Sequence, residues 1–219
     1  MVTLREITQS KLLDTFIKKG NEHLGAIGYT DHGPKHVALV SSLSRKILQE
    51  LDYDPRLAEL AGIAGYMHDI GNVINRTDHN QSGALIALEI LRRIGMQPDE
   101  IATVVSAIGN HDEENGHPIN AVAAAVILAD KSHVHRNRVR NTDVATFDIH
   151  DRVNYAVENS RLNIDGPNRM ITMDLTIDTD ICPVMEYFEI FLSRMLLCRR
   201  AADFLNCQFG LLINGVRLL

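Results

Sequence analysis

The 219-residue sequence has no tryptophan, and aromatic residues make up only 5% of it. A core must therefore be assembled from Leu, Ile, Val, Ala and Met. There are three cysteines, Cys182, Cys198 and Cys207. Their number is odd and none forms a C-x-x-C pair, which argues against a disulfide framework and a zinc–thiolate site and fits a reducing, cytoplasmic setting. No stretch reaches the roughly 18 apolar residues that a bilayer span requires. The N-terminal segment has neither the apolar run nor the small-residue cleavage site of a signal peptide, and it reads as the start of an amphipathic helix. Positive charge is also short, with a formal net charge of −6. This argues against a general nucleic-acid-binding surface, which needs a positive field. It leaves room for a small anionic substrate, because a local group of cations or metals can override the global sign.

What is present is helical periodicity. Leu4, Ile7, Leu12 and Phe16 sit at helical spacing. After a loop over 25–34, Pro34 suits a first helical turn, and Val37, Val40, Leu43, Ile47 and Leu51 recur on one face. Pro55 opens a third helix expected to run to Asp69, with Gly71 as its stop. Further helices are expected from about Gln81 to Ile94, from Pro98 to Gly109, and from Ala121 to Ala129. The last is apolar nearly all round, as a central, buried helix would be. The pattern changes beyond about residue 140. Segment 148–159 suits one more helix, SRLNID and MITMDLTID alternate as half-buried strands do, and a long apolar helix spans Pro183 to Asn206. Asn214-Gly215 marks a hairpin turn. The expected organisation is a mainly α protein, with a helical domain over residues 1–144 and a small β-β-α-β unit over 145–219.

Ten histidines stand out more by position than by number. His36 lies in a first helical turn. His68 and Asp69 close a helix in GYMHDIGN, His79 precedes the next, His111 closes another in IGNHDEENGHP, and Asp130 ends the apolar helix in VILADKSH. These positions all fall at helix ends, which antiparallel helices can bring to one side of a bundle. Imidazoles and carboxylates suit Fe, Mn, Zn, Ni or Co. An adjacent His and Asp can supply a terminal nitrogen and a bridging carboxylate to two metals roughly 3.5–4 Å apart.

The order His36, His68-Asp69, Asp130 resembles the H…HD…D signature of the HD superfamily of metal-dependent phosphohydrolases, over roughly residues 25–140. Extra histidines at His79 and His111 resemble its dinuclear subgroups, such as the di-iron diadenosine-tetraphosphate hydrolases and, more weakly, the HD-GYP phosphodiesterases. The resemblance implies an HD-type helical bundle with one metal on His36, His68, Asp69 and Asp130. A second would sit on Asp69, His79 and His111. His68 and Asp69 would be the catalytic pair, and a metal-bound hydroxide would attack a phosphoester or phosphoanhydride, with a nucleotide as the preferred substrate. Two departures are visible. Asn72 stands where Lys commonly follows HDIG, and His111 is followed by Asp112, with Gly116-His117-Pro118 beyond, rather than by a second His and a Gly-Tyr-Pro.

The basic run from Lys131 through Arg136 and Arg138 to Arg140 follows Asp130 directly. It serves either as a phosphate clamp, in which Arg forks onto phosphate oxygens, or as a solvated helix end; Lys131 and Arg136 are the candidate contacts. Asn72 and His32 complete the candidate substrate-binding set. The second HD dipeptide, His150-Asp151, reads as a helix cap. The alternative to an enzyme is a regulatory module that binds metal and nucleotide with little turnover, which the Asn72 departure favours. The long apolar helix (Val184, Phe188, Phe191, Leu192, Met195, Leu196) either packs on the helical domain or pairs two copies as a homodimer.

Overall fold

In the computed structural model, which describes residues 1–219, nine α-helices precede or interleave with a four-stranded sheet. The N-terminal segment forms two helices, α1 (Leu4–Thr8) and α2 (Lys11–Ala26), rather than one. Two caps account for the break. Thr3 and Glu6 form a reciprocal capping box on α1, and the Ser10 side chain accepts from the Leu13 backbone N–H to begin α2. Each satisfies backbone donors that a helix start leaves unpaired. The break also rotates the buried face onto Leu13, Ile17, Gly20 and Leu24, while Leu12 is exposed.

Helices α3 (Pro34–Glu50) and α4 (Pro55–Met67) each begin with proline in the first turn, where its missing N–H costs nothing. They pack along each other. Helix α4 stops at Met67, two residues before Asp69; His68 is its C-cap, and a 3-10 turn over Ile70–Val73 follows. Helices α5 (His79–Arg93) and α6 (Pro98–Gly109) form an adjacent pair. Helix α5 starts two residues earlier than its periodicity indicated, because Asp78 adopts a left-handed backbone that turns the chain directly into it.

Helix α7 (Ala121–Lys131) is the centre of the molecule. Every residue from Val122 to Lys131 is buried, and α7 contacts α3, α4, α6 and the later α9. Four alanines, at 121 and 123–125, let neighbouring helices approach closely. Its N-cap is Asn120, whose side chain accepts from Ala123 N–H.

Beyond α7 come α8 (Ile149–Ala156), β1 (Val157–Asp165), β2 (Met170–Ile177), α9 (Val184–Phe204), β3 (Gln208–Ile213) and β4 (Val216–Arg217). Asp148, not His150 or Asp151, caps α8 by accepting from Asp151 N–H. The strand order is β1-β2-β3-β4, with β2 and β3 parallel and the outer pairs antiparallel. A parallel pair needs a crossover, and α9 supplies it. Ile171, Met173, Leu175 and Ile177 of β2 are buried. Tyr187 of α9 lies over them, its hydroxyl against the Met173 and Met195 sulfurs. Helix α9 also packs on α7, and one continuous hydrophobic cluster runs from Val2 to Ile213. The molecule is thus mainly α, a helical bundle with a small α+β unit at its C-terminal end, where the final hairpin adds a short fourth strand to the expected β-β-α-β order. None of its helices is long and apolar enough to cross a membrane.

Candidate metal centre

Three histidines are fixed by one local device. His68 Nδ1 lies 2.8 Å from the Gly65 carbonyl, His111 Nδ1 2.7 Å from the Ile108 carbonyl, and His79 Nδ1 3.1 Å from the Arg76 carbonyl. In each case the imidazole donates its Nδ1–H three residues back, which turns Nε2 into the site; Arg76 Nη1 lies 3.3 Å from His79 Nε2. The ends of α4 and α6 supply the first two carbonyls, because a helix's last C=O groups lack intrahelical partners; the third comes from the turn before α5. His36, in the first turn of α3, is held differently. Its Nδ1 lies 2.8 Å from Nδ1 of His133, and the two rings stack at 5.1 Å.

The Nε2 nitrogens converge. His36 Nε2 and His68 Nε2 are 3.2 Å apart. Asp130 Oδ1 lies 3.3 Å from the first and 3.6 Å from the second, and Asp69 Oδ2 lies 3.4 and 3.3 Å from them. On the other side of Asp69, His79 Nε2 and His111 Nε2 face each other at 3.1 Å. Asp69 Oδ1 is 3.4 Å from His79 Nε2 and 3.9 Å from His111 Nε2. All six side chains are buried. The geometry therefore consists of two donor sets that share one carboxylate.

The donor chemistry fits cations. His79 and His111, both held neutral, cannot hydrogen-bond through facing lone pairs, and Asp69 Oδ2 is a buried oxygen with no hydrogen-bond partner. Burial opposes charge on both carboxylates. Even so, His68 beside Asp69 and Lys131 beside Asp130 hold them well below the usual carboxylate range. Against the same burial, Asp69 and Asp130 hold the His68 proton up to about 10, so the first donor set attracts positive charge. Burial pushes His111 well down and lowers His79, which keeps those two rings in the neutral form that ligates metals. His36 with His68 and Asp130, and His68 with Asp69 and His111, form groups of ligand atoms lying within 4.8 Å of one another.

The candidate substrate contacts separate. Lys131 is buried, with Nζ 2.5 Å from Glu113 and 2.8 Å from Asp130 Oδ2, and it lines the cradle below the metal ligands. Asn72 donates from Nδ2 to both the carbonyl and Oδ1 of Asp69, so it acts on a ligand. His32 is tied to Thr30 O at 2.7 Å and lines the cradle's mouth. Arg136 turns away. It pairs with Glu158 at 3.1 Å, lies over the Tyr155 ring, and lines neither the cradle nor the space beyond it.

Arg138 of the basic run, rather than Arg136, reaches the site, together with Arg76, Arg194 and Glu113, which the sequence pattern did not single out. Arg76, Arg138 and Arg194 line the cradle together with His32. Arg138 is buried and is held through the Asp31 and His133 carbonyls rather than by a carboxylate. Arg194 donates to Glu113 at 3.1 Å and lies over Phe191. The cradle itself is only about 20 Å³ and has no hydrophobic lining. It shares His32, Arg76, Arg138 and Arg194 with a cavity of about 360 Å³.

Residues 35–135 match the model of the HD domain. An uncharacterized protein of Methanocaldococcus jannaschii is 25% identical over 198 residues, 80% of this chain and 76% of that one. The ribonuclease Y of Opitutus terrae is 34% identical over 119 residues, which are 54% of this chain and 21% of that enzyme. The ribonuclease Y of Deinococcus radiodurans is 35% identical over 98 residues, 44% of this chain and 16% of that enzyme. The chain thus spans only about a fifth of the ribonuclease Y sequences it matches.

Proposed function

Residues 35–135 form an HD domain, and from this premise we propose that the chain is a metal-dependent hydrolase that cleaves a phosphoester or phosphoanhydride of a nucleotide with two divalent cations bound. The observation that carries this reading is Asp69, whose two oxygens face two different imidazole pairs. His36, His68, Asp69 and Asp130 would hold one cation, and Asp69, His79 and His111 the other. The same ligands accept Fe, Mn, Ni, Co or Zn.

Cations held there supply Lewis-acid polarisation of phosphoryl oxygens and lower the pKa of water. The protein's own groups do the rest. Asp69 sets the spacing of the two donor sets, and Asn72 fixes its carboxylate plane by the 2.9 Å bond to Oδ1. Arg76 and Arg138 face the same opening and offer forked donors to phosphate oxygens. Lys131 offsets the charge of Asp130 and Glu113, so these acids do not repel an incoming anion. The cradle's burial keeps bulk water from screening these interactions.

The similarity to ribonuclease Y supports a second reading, phosphodiester cleavage in RNA. The net charge of −6 and the small cradle favour the small substrate. The test is phosphate or nucleoside release from a nucleotide panel by protein loaded with Mn²⁺ or Fe²⁺. Asp69→Asn should lose both turnover and bound metal. Full activity in that variant would refute the reading.

A further inference from the structure

Arg194 lies on α9, well outside residues 35–135, yet it reaches the cradle. Three guanidinium groups thus arrive from three separate segments: Arg76 from the turn before α5, Arg138 from the stretch after α7, and Arg194 from the C-terminal unit. Arg138 is 6% exposed and makes no direct ion pair, although Asp130, Asp69 and Asp31 lie near enough to act on its charge. A buried guanidinium without a counter-anion is costly to maintain unless an anion arrives to meet it. Arg194 Nε is likewise buried and without a partner.

The shape of the site limits which anion. The cradle, about 20 Å³ and lined by polar groups alone, is too narrow for a sugar or a base and admits phosphoryl oxygens at its mouth. Its four shared residues open it onto the 360 Å³ cavity, a volume within the roughly 300–1,000 Å³ usual for small-ligand pockets. That cavity is mixed in character. Tyr29 and Phe191 give it aromatic surface, and Asp148, Asp151 and Asn154 of the α8 segment give it hydroxyl-binding groups.

Building on the hydrolase reading above, we infer that the substrate is a nucleoside monophosphate bound end-on, its terminal phosphate dianion clamped by Arg76, Arg138 and Arg194 and its nucleoside in the adjoining cavity. An oxygen from water bonds to phosphorus, the P–O ester bond breaks, and the leaving oxygen takes a proton, giving orthophosphate and a nucleoside. An internal phosphodiester fits poorly. It carries one charge where Arg138 has no carboxylate in ion-pair contact and Arg76 and Arg194 hold one each, and its second ester arm has no place in the cradle.

The experiment compares three substrates on full-length Mn²⁺-loaded protein: a nucleoside 5′-monophosphate panel, the p-nitrophenyl diester of thymidine 5′-phosphate, and a short oligoribonucleotide. Orthophosphate binding by calorimetry is measured alongside. The monoester should exceed the diester in kcat/KM by about 100-fold, as expected when two charge-assisted contacts distinguish them. Arg194→Gln should weaken orthophosphate binding and monoester kcat/KM by about 10- to 100-fold while metal content stays at the wild-type level. Arg194→Lys should recover part of the loss. Arg76→Gln, at a more exposed position, repeats the test if Arg194→Gln fails to fold.

Faster cleavage of the diester or the oligoribonucleotide, still abolished by Asp69→Asn, overturns this inference and leaves the hydrolase reading standing. No turnover of any substrate, with orthophosphate binding that depends on Arg194 and Arg76, overturns the hydrolase reading and supports the clamp. Orthophosphate binding unchanged in both arginine variants overturns the clamp outright.

Discussion

Asn72 Nδ2 donates to Asp69 Oδ1 at 2.9 Å, the same oxygen that lies 3.4 Å from His79 Nε2. The residue standing where Lys commonly follows HDIG therefore sets the plane of the shared carboxylate. Groups that orient a metal ligand contribute about 10- to 100-fold in metal affinity. Asn72→Ala should raise the metal dissociation constant by that factor with little change in the fold, as measured by competition with a chelating dye. An unchanged constant would show that Asp69 is held without Asn72.

Gly71 links the fold to the site. A Cβ placed there would collide with the His79 carbonyl oxygen and crowd Gly83 N. Neither contact is a flexible side-chain end, so the start of α5 would have to move, and His79 with it. Gly71→Ala should cost about 1–3 kcal/mol of stability, the range for overpacking. It should also reduce bound metal by one equivalent per chain. Chemical denaturation with metal analysis checks both. A stable variant with full metal content would mean that α5 tolerates the shift.

Arg56 grips Glu100 through two bonds, Nε to Oε1 at 2.6 Å and Nη2 to Oε2 at 2.7 Å, while Nη1 donates to the Val2 carbonyl. The pair fastens α4 to α6 and to the N-terminal segment. The Arg56 hydrogen bonds hold the Glu100 carboxyl below its ordinary value of 4.5. A carboxyl depressed on folding contributes stability above its unfolded value, and that stability is lost as pH falls through the folded one. Glu100→Gln should therefore cost about 1 kcal/mol at pH 7. The gap to wild type should close below about pH 4. A gap that persists in acid would assign the loss to packing instead of charge.

Periodicity made the helical core and the β-β-α-β unit legible, because both are written in local spacing. The near-continuous apolar run of α7 announced its burial, and Asn214-Gly215 announced the last hairpin. Helix ends draw the candidate ligands together for a physical reason: the ends of α4 and α6 carry the free carbonyls that orient His68 and His111, while the turn before α5 orients His79. The arginines were harder. Arg136 and Arg138 sit in one short 3-10 turn, two residues apart, and pattern alone does not say which faces inward. Arg194 did leave a signal, a lone cation close to Phe191, Met195 and Cys198 on the buried stripe of α9. Its partner Glu113 is 81 residues away, a pairing that no local rule encodes. The α1–α2 break was written in Thr3, Glu6 and Ser10 and was hidden by the continuity of the apolar spacing.

The central claim is that two donor sets share Asp69, and metal stoichiometry tests it most directly. Protein reconstituted with Mn²⁺ or Fe²⁺ and freed of excess ion should carry two metals per chain by elemental analysis. His79→Ala and His111→Ala should each carry one, and Asp69→Asn less than one. Two metals retained in Asp69→Asn, or a single metal in wild type that persists in both histidine variants, would contradict the account.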